Sequence, residues 1–206
     1  MLVLPMLVTV TSPDKAELNP QSKRILGTRG IPLQSHAAWL LIVIDTDSVK
    51  TLFPDPSRDQ ESPTSIAPDV GFLVATGIKV EPGQRTGELR IAALMGDTVC
   101  VSATSGSDNF EDAVLLYGMT RSSGDQVFSD FGYQNVQELT VVPISTLKTP
   151  SLQIATETFG FHQANVTAAG TEGYEVPFAL HIRDADTGQP VLYGYFSWNL
   201  EITVEG

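Results

Sequence analysis

Two pairs of aspartates are the residues whose types and spacing could do chemistry. Asp45 and Asp47 follow a run of aliphatic residues, and Asp184 and Asp186 lie in an Asp-Ala-Asp-Thr-Gly stretch. Hard cations such as calcium need several oxygen ligands at once, which loops at one end of a β-sandwich could supply. The known calcium-loop pattern fails, because the stretch lacks a third acidic position and Tyr195 takes the place of the bidentate glutamate. We interpret all four as turn- and cap-forming carboxylates and keep them as candidate metal ligands.

Aromatic and polar residues in the last third of the chain could bind a sugar. Carbohydrate-binding sandwiches stack sugar rings on Trp or Tyr and orient hydroxyl groups with Asp or Asn, which suits Tyr193, Tyr195 and Asn199. His162 follows Phe-Gly-Phe and could border a pocket. We favour the alternative, in which the aromatic rings fill the core or an interface between copies and His162 is a surface histidine.

Motifs for catalysis are absent from the sequence. It contains no Gly-x-Ser-x-Gly, no His-Glu-x-x-His and no phosphate-binding glycine loop. Cys100 has no His or Met at short spacing after it, which argues against a copper site and favours a small residue packed in or beside a sheet. We predict no catalytic residue, no cofactor and no enzyme. A glycosidase-like pair of carboxylates stays open, since the separation of two carboxyl groups is not readable from sequence.

The charge and length bound the class of protein. The chain has 206 residues and a formal net charge of -12. A chain of this length can form one β-sandwich domain with a sizeable core. Nucleic acids and anionic membranes bind clustered Lys and Arg, so we expect neither as a partner. Self-repulsion keeps such a protein soluble, and protonation toward the isoelectric point of about 4.5 would favour association.

Residues 39–49 contain the stretch that organises the fold. The aliphatic run Leu40–Ile44 predicts a central strand buried on both faces. The polar residues after it are turn and helix-capping types, and one helical turn is possible over 47–53. A second helical turn is possible over 129–141, and the apolar run in 112–120 is a candidate partner for the central strand.

The C-terminal part alternates polar and apolar residues most clearly. The spacing over 175–183 and 196–204, with a turn at 184–188, predicts a hairpin. Strong alternation elsewhere, with turns every 8 to 12 residues or so, predicts an all-β fold. We expect an antiparallel β-sandwich of the jelly-roll or immunoglobulin-like type, with about ten strands and minimal helix.

The first 35 residues differ from the rest of the chain. Their apolar start lacks a basic segment and is interrupted by Pro5, so we interpret it as a strand rather than a signal peptide. We predict a single domain over 1–206, with 1–35 as an N-terminal arm that adds a strand or reaches across a dimer. No window approaches the ~20 apolar residues of a membrane span, and one cysteine fits a reducing compartment, so we expect a cytoplasmic protein.

Seven blocks of sequence resemble the AidA/PixA inclusion-body protein family of bacteria, and they run in the family's order from about Trp39 to the C-terminus. They are Val43-Ile-Asp-Thr-Asp-Ser48, Phe53-Pro-Asp-Pro-Ser57, Val74-Ala-Thr-Gly77, Gly87-Glu-Leu-Arg-Ile-Ala92, Gly96-Asp-Thr-Val99, Phe110-Glu-Asp-Ala-Val-Leu-Leu-Tyr117 and Tyr193-Gly-Tyr-Phe-Ser-Trp-Asn-Leu-Glu-Ile202. The resemblance implies a link to quorum sensing and accumulation in intracellular inclusions, with no established catalytic activity.

The sequence therefore predicts a non-catalytic protein that associates with itself, as a homodimer or a larger assembly. The alternative is a lectin-like module that binds carbohydrate, with or without calcium, near Asp45, Asp47 and the turn at 184–188.

Overall fold

The computed structural model describes residues 37–77, 79–80, 87–145 and 151–205. The predicted N-terminal arm lies outside these residues. Within them, no helix is both long and apolar enough to cross a membrane. The elements are β1 (Ala37–Ile44), α1 (Thr46–Leu52), β2 (Thr64–Ile66), a 310 helix (Pro68–Val70), β3 (Gly71–Thr76), β4 (Lys79–Val80), β5 (Glu88–Ala92), β6 (Thr98–Ser105), β7 (Ala113–Leu116), β8 (Thr120–Gly124), β9 (Gly132–Ser145), β10 (Ser151–Asn165), β11 (Gly170–Arg183) and β12 (Pro190–Glu205).

The described strands form two sheets. The first has five strands in the order β3-β1-β6-β10-β9, and the second runs β4-β5-β12-β11-β7, with β2 beside β12 and β8 beside β11. The prediction of an all-β fold with little helix is confirmed. Most pairs are antiparallel as predicted, but β1 is parallel to β6, and β12 is parallel to β2 and β5, so the sheets are mixed.

One hydrophobic core joins the inner faces of both sheets. It contains Leu40 and Ile42 of β1 together with Phe196, Trp198 and Leu200 of β12, all at most 1% exposed. Residues from two sheets within one buried cluster indicate face-to-face packing, because each sheet must cover its apolar face. The expected sandwich arrangement follows from this core.

Strand β1 is central, as its aliphatic sequence predicts, and lies between β3 and β6. Its burial alternates, however: Leu40, Ile42 and Ile44 are buried, whereas Leu41 and Val43 on the other face are only half-buried. The prediction that both faces are buried is wrong. A run of aliphatic residues does not indicate whether a strand is packed on one face or on both. Within the described residues, only the face of Leu40, Ile42 and Ile44 packs against the other sheet.

The predicted C-terminal hairpin is confirmed by the pairing of β11 with β12, which places Phe178 opposite Phe196 and Val176 opposite Trp198. The expected turn at 47–53 is also confirmed as α1. Two other expectations are wrong. The run at 112–120 contains β7, which pairs with β11 and not with β1. Most of the possible helical turn at 129–141 lies in β9, which begins at Gly132.

Strands β9 and β10 form a long antiparallel hairpin at one edge of the first sheet. Only His162–Asn165 of β10 pair with β6. The rest of β10 pairs with β9 alone within the described residues, over a ladder from Gln163 opposite Gly132 to Ser151 opposite Ser145. The hairpin therefore leaves the sheet near Phe161 and continues as a two-stranded ribbon.

Candidate functional site

The carboxyl end of β1 opens into an acidic cleft of about 370 Å³. Asp45 begins α1 as its N-cap: the Ser48 backbone N–H donates to Oδ1 at 3.1 Å and the Ser48 hydroxyl donates to Oδ2 at 2.7 Å. These hydrogen bonds hold the pKa of Asp45 below its usual value, and the bond from the Ser48 hydroxyl contributes most. Both oxygens of Asp45 thus already have donors, as expected for a capping aspartate.

Lys50 balances two other carboxylates that line the acidic cleft. Its Nζ lies 2.6 Å from Oδ2 of Asp112 and 3.0 Å from Oδ1 of Asp47. Desolvation lowers the pKa of Lys50, but the hydrogen bonds to both carboxylates outweigh it and leave the pKa raised. The ion pair with Asp112 is the more buried of the two. The Asp47 side chain is 90% exposed, so water screens its ion pair with Lys50.

Asp184 and Asp186 belong to the turn between β11 and β12. Oδ1 of Asp184 accepts hydrogen bonds from the Thr187 hydroxyl at 2.7 Å, the Thr187 backbone at 2.8 Å and the Asp186 backbone at 3.2 Å. The Thr187 contacts hold the pKa of Asp184 below its usual value. Neither aspartate lines the acidic cleft. Among the described residues, no group of three or more His, Cys, Asp or Glu side chains is arranged to hold a metal ion.

The predicted sugar-binding residues lie at different places on β12. The Tyr193 hydroxyl donates to the Phe53 carbonyl at 2.8 Å, and its ring stacks on Phe196 with 6.3 Å between centroids. Tyr193 thus ties β12 to the C-terminal end of α1. Tyr195 is half-buried and packs edge-on against Tyr117 at 5.7 Å, while Asn199 is exposed. Their role in binding a sugar stays a prediction.

His162 is buried, 5% exposed, rather than on the surface as we favoured from the sequence. Its ring meets the ring of Tyr133 edge-on, with 5.5 Å between centroids. Both side chains line a second cleft of about 500 Å³ between the base of the β9–β10 hairpin and strands β6 and β7. Burial lowers the pKa of His162, so the imidazole is neutral at pH 7.

One face of the β9–β10 ribbon exposes a row of aliphatic side chains that the motif search missed. Strand pairing places Val141 opposite Ile154 and Leu139 opposite Thr156. Leu152 lies two residues before Ile154 on β10 and therefore on the same face. We call the surface of Leu139, Val141, Leu152 and Ile154 the hairpin face. These side chains are 61–73% exposed. Contiguous exposed aliphatic residues on a soluble protein commonly mark an interaction surface.

A signal for the hairpin face was present in the sequence. Leu152, Ile154 and Thr156 alternate with Gln153 and Ala155, which is the two-residue period of a strand with unlike faces. The pattern alone would have predicted a half-buried strand. Only the pairing with β9, and the absence of a covering layer in the described residues, show that the apolar face is exposed.

The comparisons with known proteins agree on one family. The family model described as "PixA: Inclusion body protein" matches residues 36–204. A similar solved structure is the crystal structure of the inclusion body protein (PixA) from Burkholderia cenocepacia J2315. It is 30% identical to this chain and has a TM-score of 0.71, and the match covers 85% of this chain and 100% of that one. Among curated proteins, none matches.

Proposed function

The chain belongs to the PixA inclusion body protein family, and we propose that it works without catalysis, by associating with copies of itself through the hairpin face. The occupant of that face is a second copy of the same chain. The relatives are described as inclusion body proteins, and a surface that binds its own copy is the simplest device for such accumulation. We propose that this association takes place in the cytoplasm.

The exposed aliphatic side chains of the hairpin face carry this proposal. A two-stranded ribbon is marginally stable in water unless its apolar face packs against another layer. Leu139, Val141, Leu152 and Ile154 have no such layer in the described residues. An identical ribbon related by a two-fold axis would cover the same four residues on both copies, because a two-fold interface is self-complementary.

The charge distribution favours a second copy over a charged partner. Two molecules with a formal net charge of -12 repel each other, so they must meet where charge is lowest. No charged side chain lies among the described residues of the hairpin face. The acidic residues Glu138 and Glu157 are paired on the opposite face of the ribbon. Apolar contact on the one face is thus possible without bringing these carboxylates together.

The edge position of β9 offers a second contact through which copies of the chain could associate. Strand β9 is a 14-residue strand at the end of its sheet among the described strands. An edge strand presents unpaired backbone N–H and C=O groups, which pair readily with another chain. A face contact and an edge contact in one hairpin would extend a dimer into a larger assembly.

The test compares the solution mass of two variants that add the same charge to the same strand. Ile154→Glu places a carboxylate on the hairpin face, and Gln153→Glu places one on the opposite face. Burying an unpaired carboxylate in an apolar interface costs several kcal/mol. We expect light scattering to give a multiple of the 22.2 kDa chain for the unchanged protein and for Gln153→Glu, and 22.2 kDa for Ile154→Glu. Circular dichroism and the thermal midpoint check that both variants stay folded.

An unchanged protein that remains at 22.2 kDa across the accessible concentration range would overturn self-association. If Ile154→Glu remains an oligomer, the protein does associate with itself, but not through the hairpin face.

A further inference from the structure

We propose that the cleft between the hairpin base and strands β6 and β7 binds a small, uncharged, mainly apolar molecule that carries one hydroxyl group. The cleft is separate from the acidic cleft at the end of β1. Its lining residues come from strands β6, β7, β9 and β10 and from Asn109. This inference is independent of self-association, because it concerns the wall of the sandwich rather than the outer part of the ribbon.

The lining of the cleft is entirely uncharged, although the protein is strongly acidic. It combines aliphatic side chains such as Val101 and Leu116 with the aromatic ring of Phe161 and the small polar Ser102 and Thr158. Its volume of about 500 Å³ lies in the range of small-molecule sites. An uncharged wall in a chain of net charge -12 selects against anionic ligands and favours neutral ones.

Among the residues that line the cleft, His162 carries a buried nitrogen, Nδ1, without a hydrogen-bond partner in the described part of the chain. Nearly all buried polar atoms in proteins have a partner, so the unpaired nitrogen of this lining residue calls for one. The neutral imidazole can exchange a hydrogen bond with a hydroxyl group.

Tyr133 is placed to admit the ligand. Its ring lies over Gly160, where a Cβ would be 2.5 Å from the Tyr133 hydroxyl oxygen, and it meets the ring of His162 edge-on. Tyr133 sits on the edge strand β9 and is 58% exposed, so rotation about its side-chain bonds meets little obstruction. Such a rotation would uncover the imidazole and leave the aromatic ring as a wall against the bound molecule.

The test uses 2-naphthol as the probe, with naphthalene and 2-naphthoate as comparisons. We expect 2-naphthol to bind saturably, with one molecule per chain, and to shift the imidazole NMR signals of His162. Naphthalene, which lacks the hydroxyl, should bind at least tenfold more weakly, and anionic 2-naphthoate should not bind.

The matched variants are His162→Phe and His181→Phe. Both histidines lie in strands and have an unpaired Nδ1, but only His162 lines the cleft. His162→Phe should weaken 2-naphthol binding at least tenfold and leave naphthalene unaffected, and His181→Phe should change neither. Thr158→Trp serves as the second variant if His162→Phe does not fold. Thr158 is an exposed residue of the cleft wall, and the larger side chain should fill the cleft and block all binding.

Two results would overturn the site: no shift of cleft signals up to the solubility of 2-naphthol, or equal affinity in the His162→Phe and unchanged proteins. Repeating the titration with Ile154→Glu separates this site from self-association. Binding that disappears in this variant would show that the probe occupies an interface between copies and would equally overturn a cleft within one chain.

Discussion

Glu172 holds the chain segment before β9 on the second sheet, and its replacement by glutamine gives a quantitative test of the fold. The carboxylate is 1% exposed. Its Oε2 accepts hydrogen bonds from the backbone N–H groups of Val127 at 2.7 Å and Phe128 at 2.9 Å. Its Oε1 lies 3.1 Å from Nε of Arg121. This side chain therefore ties the chain segment that leads into β9 to β11.

The expected loss follows from these contacts. A hydrogen bond to a charged acceptor contributes about 1.5–3 kcal/mol and a neutral one about 0.5–1.5, so Glu172→Gln loses about 1 kcal/mol at each backbone N–H. The Arg121 side chain is 44% exposed, which limits the ion pair to under about 1 kcal/mol. The free energy of unfolding should fall by about 2–3 kcal/mol. For a chain of this size, the thermal midpoint should fall by roughly 5–10 °C.

Guanidinium unfolding at pH 7 measures this change, with Glu201→Gln as the control. Glu201 undergoes the same substitution on the neighbouring strand, opposite Gly173, but is exposed. We expect the control to stay within about 0.5 kcal/mol of the unchanged protein. If Glu172→Gln also stays within that limit, the buried carboxylate does not anchor the segment before β9.

Three further predictions follow from other contacts. Asp45→Ala should lower the free energy of unfolding by about 1 kcal/mol at pH 7, because α1 loses its cap. Hydrogen bonds depress the pKa of Asp45 in the folded protein. The loss of unfolding free energy should therefore be complete above the pKa of the unfolded state, near 3.8, and should shrink as the pH falls through the pKa of the folded state, as measured by unfolding at several pH values. Cys100 should resist iodoacetamide until the protein unfolds, because burial raises the pKa of its thiol to about 11; fast labelling of native protein would contradict this. Gly194→Ala should cost about 1–3 kcal/mol in a denaturant titration, because the added methyl group would collide with Pro56, and an unchanged midpoint would show that the loop gives way freely.

Local patterns in the sequence predicted the elements whose causes are local. Asp45 caps α1 because a short acceptor side chain three residues before Ser48 reaches its backbone N–H. The alternation along β12 fixes which residues join the core, and Phe196, Trp198 and Leu200 do so. Cys100 is buried in β6, in agreement with its interpretation as a small residue packed in a sheet. The family resemblance from about residue 39 onward is confirmed by the match over 36–204.

Long-range pairing was not predictable in the same way. The apolar residues of β7 would suit either sheet, and only the global arrangement places Leu116 opposite Phe178 rather than beside β1. The parallel pairing of β1 with β6 likewise joins segments separated by more than 50 residues. His162 shows the same limit at the candidate site, since it lies between β6 and β9 and its ring contacts Tyr133 of the neighbouring strand.

Single-cysteine cross-linking tests self-association through the hairpin face most directly. Thr156→Cys places a thiol on the hairpin face and Gln153→Cys places one on the opposite face, and both native side chains are exposed. The buried Cys100 thiol provides little background. With a short bis-maleimide, the proposal predicts covalent dimers for Thr156→Cys and monomers for Gln153→Cys. Monomers for both variants, or dimers formed equally by both, would contradict it.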